Sequence, residues 1–179
     1  LFLERERIAN HLGDLGYLGN DGGLAFGLAQ FMRLKEDVLR VNARVAGHRF
    51  LMDCIVPGGV ARDIDRAGLA EIEAQCDVLE KDVRTLKEIY DDHAGLQDRF
   101  MTCGILTPET ARRLGVVGLA ARASGEGMDA RRAPGLAPYD LLDVRVTTAR
   151  AGDVAARAAV RLGEIFESLR LIRAIVERI

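Results

Sequence analysis

The sequence predicts a mainly α fold: an antiparallel bundle of long helices, with one long irregular loop and a minor short-strand element. Three observations carry this expectation. Four long stretches repeat apolar residues at steps of three and four, the spacing of one helix face, with charges on the back. Strand-like patterns are confined to short segments between them. The stretch Ala121–Val146, ARASGEGMDARRAPGLAPYDLLDVRV, has no helical period and gathers arginines, glycines and prolines before Tyr139. A loop of that length is either functional or disordered.

Taken in order, the first helix is expected over Leu1–Leu18, with Ile8, Leu12 and Leu15 on one face. The second covers Leu24–Val45 and turns Leu24, Leu28, Phe31, Val38, Val41 and Val45 inward. His48–Val60, HRFLMDCIVPGGV, opens apolar and closes on a Pro-Gly-Gly turn signal, so it reads as a short strand or buried extended segment before a tight turn. The third helix, Ile64–Asp91, aligns Leu69, Ile72, Cys76, Leu79, Val83, Leu86 and Tyr90. Leu106–Gly115 reads as a short helix: Thr107 caps it, Pro108 takes its first position and Gly115 closes it. Leu141–Val146, LLDVRV, alternates and is expected as a strand. The last helix covers Asp153–Ile179, with Ala158, Leu162, Ile165, Leu169, Ile172, Val176 and Ile179 inward. Helices this long with few strands point to bundle packing.

The 179 residues suit a single helical domain, residues 1–179, with 49% apolar and 29% charged residues, as in soluble globular chains. Net charge is −2 and the basic residues are spread, so nothing points to a nucleic-acid partner. No apolar run approaches the roughly 18 residues that span a bilayer. Cys54, Cys76 and Cys103 are odd in number and far apart, neither a disulfide framework nor a metal knuckle, which fits a reducing cytoplasm. Both ends of the sequence fall inside helical patterns, so an excised piece of a longer polypeptide is expected.

Candidate chemistry is sparse. His11, His48 and His93 have no spacing that would place metal ligands on one helix face, and GGLAFG at Gly22–Gly27 is too loose for a dinucleotide loop. Asp21 sits at the joint of the first two helices. It reads either as a helix N-cap or as a carboxylate whose proton affinity is tuned by burial. In the long loop, Arg122, Asp129, Arg131 and Arg132 surround flexible glycines. They read either as an arginine–carboxylate network that pins the loop to the bundle or as the lining of a polar, anionic or redox site.

ERIANHLGDLG, then EDVLRV, GHRFLMDCIVPGGV, LQDRFMTCGILTPETARRLGVVGLAARASG and MDARRAPGLAPYDLLDVRV follow one another along the chain. In that order and spacing they resemble the nickel–iron hydrogenase large-subunit superfamily, in the branch shared by energy-converting, formate hydrogenlyase-type hydrogenases and the D subunit of complex I. The most specific succession is R-A-S-G (Arg122, Ser124), D-x-R (Asp129, Arg131) and P-Y-D (Tyr139). The resemblance covers essentially the whole chain and identifies it as the helical middle of such a subunit.

The resemblance implies a redox catalytic subunit that takes electrons from an iron–sulfur small subunit. It is expected in the cytoplasm, peripheral on the inner membrane through membrane subunits. Hydrogenases of this kind hold a nickel–iron centre with four cysteines in two CxxC motifs; neither motif is present here. This piece alone is therefore expected to hold no cofactor and to be inactive, the metal belonging to the full-length parent. Val56 stands where complex I subunits carry an arginine before Pro-Gly-Gly, and Cys54 where they carry a tyrosine; both favour the hydrogenase branch. The alternatives are a quinone-reducing, NADH-linked complex I D-type subunit and a metal-free scaffold for subunit assembly. Asp21 matches an aspartate on the proton path, while Arg122, Ser124, Asp129, Arg131 and Tyr139 would line or support the cavity. A homodimer of the isolated piece is a further expectation, through an apolar face.

Overall fold

The computed structural model describes residues 1–132 and 137–179. Four long helices dominate it: α1 (Phe2–Asp21), α2 (Ala25–Ala46), α3 (Arg66–Asp92) and α7 (Val154–Val176). Between them lie β1 (Ile55–Val56) and β2 (Gly59–Val60), then the short helices α4 (Ala94–Phe100), α5 (Pro108–Arg113) and α6 (Gly118–Ala123). Single 3-10 turns occur at Ala130–Arg132 and Tyr139–Leu141.

Cross-helix pairs fix the directions. Arg33 meets Asp82, and Arg44 meets Glu71, so α2 and α3 run antiparallel. Asp77 meets Arg173 while Arg84 lies over Phe166, which makes α3 and α7 antiparallel. His11 meets Glu164 and Asp14 meets Arg161, so α1 and α7 are antiparallel too. The result is an up-down bundle in which α1 packs on α2 and α7, and α3 on α2 and α7. Its core holds the expected stripes: Ile8, Leu12 and Leu15; Phe31, Val38 and Val41; Ile72, Cys76, Leu79, Val83, Leu86 and Tyr90; Leu162, Ile165, Leu169 and Ile172. At the margins, Leu24, Val45 and Val176 are only partly buried, and Ile179 is exposed.

Helix starts follow from side-chain oxygens that take up otherwise unpaired amides. Asp65 accepts from Gly68 N at 2.8 Å, Thr107 Oγ1 from Thr110 N at 3.2 Å and Asp153 Oδ1 from Ala156 N at 2.8 Å. At α4, an imidazole takes this role: His93 Nδ1 accepts from Leu96 N at 3.0 Å. Gly47, at φ +83°, closes α2, and Gly115, at φ +62°, follows α5 as expected.

Two expectations are corrected. The short-strand element is the hairpin β1–β2 around Pro57-Gly58, with Ile55 opposite Val60, whereas Leu141–Val146 forms no strand. That segment does alternate: Leu142 and Val144 are buried against Leu171 and Ile175. Side chains of α7 take the place of a neighbouring strand. Glu167 accepts from Arg145 N at 2.9 Å, and Arg170 donates to Asp143 O. The stretch 121–146 is also less irregular than its composition suggests, since α6 and two 3-10 turns occupy parts of it. Residues 133–136 of that loop lie outside the described residues.

Candidate functional site

The polar centre of the molecule lies where the loop after α6 meets α1 and α7. Glu4, on the first turn of α1, is completely buried. It accepts hydrogen bonds from Arg131 Nη1 at 2.9 Å, the Tyr139 hydroxyl at 2.6 Å and Ser168 Oγ of α7 at 2.6 Å. Arg131 also grips Asp129 with two bonds, Nε to Oδ1 at 3.0 Å and Nη2 to Oδ2 at 2.7 Å. This planar fork is the geometry that favours arginine over lysine at a carboxylate.

A third carboxylate lies one turn of α7 from Ser168. Glu164 of α7 takes His11 Nε2 at 2.7 Å and Arg7 Nη1 at 3.2 Å on one oxygen, and Arg122 Nε on the other. Arg122 Nη1 reaches Met128 O at 3.3 Å, beside Asp129, so the two groups join through the loop. Burial alone would raise the Glu164 and Asp129 carboxyls. Hydrogen bonds from His11 and Arg122 outweigh it at Glu164, and those from Arg131 at Asp129, so each is held down at about 2. Burial, and then the hydrogen bond to Glu4, push the Tyr139 phenol well above its ordinary value. Burial lowers Arg131, but its bonds to Asp129 and the charge of Glu4 raise it above the usual guanidinium value.

Three buried carboxylates thus face three guanidiniums: Glu4, Asp129 and Glu164 against Arg7, Arg122 and Arg131. Among the described residues, no buried side-chain nitrogen or oxygen lacks a partner. Chemically, this arrangement fixes a loop to two helices.

The structure brings four of the sequence-selected loop residues into this network: Arg122, Asp129, Arg131 and Tyr139. Ser124 is buried elsewhere, its Oγ 2.8 Å from Leu106 O and 3.0 Å from Ala120 O. Arg132 is exposed. Asp21 stands about 25 Å from Glu4 along α1, at 1.5 Å per residue. It is the last residue of α1 and exposed, and α2 starts from Leu24 without a side-chain cap, so Asp21 is neither the expected N-cap nor buried in this chain.

Sequence reasoning missed Glu4, Arg7, His11, Glu164 and Ser168. A signal was present: Glu4 falls four residues before Ile8 on its apolar stripe, and Glu164, Ser168, Leu171 and Ile175 form a second inward stripe on α7. A charge in an apolar stripe calls for a buried partner. Elsewhere, Arg5 is buried without a carboxylate, donating to Asn42 Oδ1 at 2.6 Å, Gln75 Oε1 at 2.8 Å and Val38 O at 3.2 Å. Burial lowers its guanidinium to about 10.

For a metal, the donor set is unsuitable. Cys54 lies beside the hairpin, Cys76 is in the middle of α3, and Cys103 is on an exposed turn. Among the described residues, no group of three or more His, Cys, Asp or Glu side chains converges as a metal site. The described residues therefore do not themselves fit a nickel–iron centre.

Known proteins share this arrangement of helices and loop. Formate hydrogenlyase subunit 5 of Escherichia coli K12 is 28% identical over 96% of this chain and 30% of its own length. The NADH-quinone oxidoreductase D subunit of Acidiphilium cryptum is 33% identical over 97% of this chain and 43% of its own. The chain spans less than half the length of these relatives. In fold, it matches a chain of the membrane-bound sulfane sulfur reductase, an archaeal respiratory membrane complex, with a TM-score of 0.90 and 23% identity over 98% of this chain and 48% of that one. The family model described as the respiratory-chain NADH dehydrogenase, 49 Kd subunit, matches residues 21–179. This chain therefore belongs to the family of the 49 kDa subunit of respiratory-chain NADH dehydrogenase.

Proposed function

We propose that this chain is the helical module of a redox catalytic subunit in a membrane-associated electron-transfer complex. The observation that carries the reading is the match along nearly the whole chain to both formate hydrogenlyase subunit 5 and NADH-quinone oxidoreductase D subunits. Of the two types we favour the hydrogenase one, because Val56 and Cys54 stand where the family resemblance implies an arginine and a tyrosine in the quinone-reducing type. In the full-length subunit, a nickel–iron centre would be held by cysteines outside these residues, and an iron–sulfur small subunit would supply electrons. The subunit would lie on the cytoplasmic face of the inner membrane, held there by membrane partners. Among the described residues, no helix is long and apolar enough to cross a membrane.

In this reading the buried network braces the module so that its surfaces keep their shape while charge moves nearby. Asp21, exposed at the joint of α1 and α2, is the carboxylate we assign to proton exchange. Metal analysis of the purified full-length complex tests the branch. Stoichiometric nickel with hydrogen turnover supports the hydrogenase type. A nickel-free complex that reduces quinone supports the D-type alternative, and a complex with neither activity leaves a scaffold for subunit assembly. Asp21→Asn in that complex should lower turnover; wild-type turnover would remove Asp21 from the proton path.

A further inference from the structure

The GGLAFG run, too loose for a nucleotide loop, has another use. The joint of α1 and α2 carries Gly19, Gly22, Gly23 and Gly27, and each is met by a side chain from α3 or α4. A Cβ at Gly19 or Gly27 would overlap the Tyr90 phenol, and one at Gly22 would overlap Leu96. One at Gly23, where φ is +88°, would overlap the Arg99 guanidinium. The Tyr90 ring is buried edge-on to Phe31, with centroids 5.2 Å apart, and its hydroxyl donates to Leu15 O at 2.8 Å. Arg99 Nη1 donates to Gly22 O. Within the joint, Gly23 N bonds Asn20 O at 2.9 Å and Leu24 N bonds Gly19 O at 2.7 Å.

A tight helix–helix connection needs one glycine where the backbone turns left-handed. Only Gly23 meets that need here. The other three glycines make room for side chains, so the joint is shaped as a socket. Asp21 lies in the middle of it and is exposed, so its carboxylate is placed by the backbone that carries it.

We propose that Tyr90 and Arg99 are positioning residues for Asp21. They hold the joint so that the carboxylate is presented at one place and one angle to the group with which it exchanges a proton. Small displacements of such a group cost rate rather than binding. The proposal rests on the assignment of Asp21 to proton exchange made above.

The test is a double-mutant cycle in the full-length subunit within its complex: Asp21→Asn, Tyr90→Phe and the pair. Tyr90→Phe keeps the ring and its edge contact and removes only the hydroxyl. It should lower kcat about fivefold, the effect of one ordinary hydrogen bond, with KM unchanged. The double variant should be no slower than Asp21→Asn alone, because residues acting through one group are not additive. Arg99→Met, at an exposed position, should repeat the pattern and serves if the phenol proves necessary for folding. Fully additive losses, or wild-type kcat in both Tyr90→Phe and Arg99→Met, would overturn the positioning role alone. Wild-type turnover in Asp21→Asn would instead remove the Asp21 assignment and the positioning role with it.

Discussion

Charge burial is the feature that sets individual residues of this chain apart, and it makes two predictions. Glu164 and Asp129 are held at about 2, while unfolded carboxylates take up protons near 4. The folded state therefore stays ionised where the unfolded state binds protons. The stability these groups contribute is present above about pH 4.5 and is lost as pH falls toward 2. Calorimetric melting temperatures should drop across that window, and Glu164→Gln should flatten the drop. The second prediction concerns Glu4, whose carboxylate holds Arg131, Tyr139 and Ser168 at once. Glu4→Gln leaves Arg131 with only Asp129 as counter-ion in a dry site. Breaking a buried pair in this way costs about 3–5 kcal/mol, to be read from urea midpoints. Neither Glu4 nor Glu164 drew notice in the sequence, because composition and motif spacing weigh each residue by its chain neighbours. Their partners are 127 and 42 residues away.

At the scale of elements, local chemistry decided most of what could be read. The long helices were legible because each repeats its apolar stripe over many turns, and their observed ends lie within three residues of the expected ones. The Thr107 cap of α5 was legible for the same local reason, whereas the cap expected of Asp21 does not form and those at Asp65 and Asp153 went unread. The caps differ in weight, however. Asp65 accepts from Gly68 N and is exposed, whereas Asp153 is buried and accepts from both Ala156 N and Thr102 N, at 2.8 and 2.9 Å. Asp153→Ala should then cost about 2 kcal/mol against about 1 for Asp65→Ala, measured as a difference in chemical denaturation. Leu141–Val146 misled because period-two burial needs only one apolar surface below it. A strand also needs a backbone partner, and Glu167 and Arg170 supply side chains instead. The helices α4 and α6 are too short for a periodic signal, and α4 starts from a histidine cap that propensity alone does not suggest.

For the whole molecule, the bundle follows from stripes that can be satisfied only against one another, while its exposed faces follow from nothing local. The hairpin segment leaves Phe50, Met52, Ile55 and Val60 each at least half exposed. Ile55 and Val60 wall a cavity of about 600 Å³ with Leu1, Phe2, Ile64 and Ile179. Exposed apolar side chains gathered beside a concave, mostly apolar surface form a face that a second copy can cover. The isolated 179-residue chain should therefore self-associate through this face, and sedimentation velocity should show a weight-average mass that rises with concentration. Arg62 and Asp63 also line this cavity side by side, so across a two-fold axis each can meet the other's counterpart. Val60→Asp, on a strand whose side chains already face outward, should return the chain to monomer without loss of helical circular dichroism. Arg62→Asp should weaken pairing, and the double exchange Arg62→Asp with Asp63→Arg should restore it. An unchanged mass in Val60→Asp would place the contact elsewhere on the bundle.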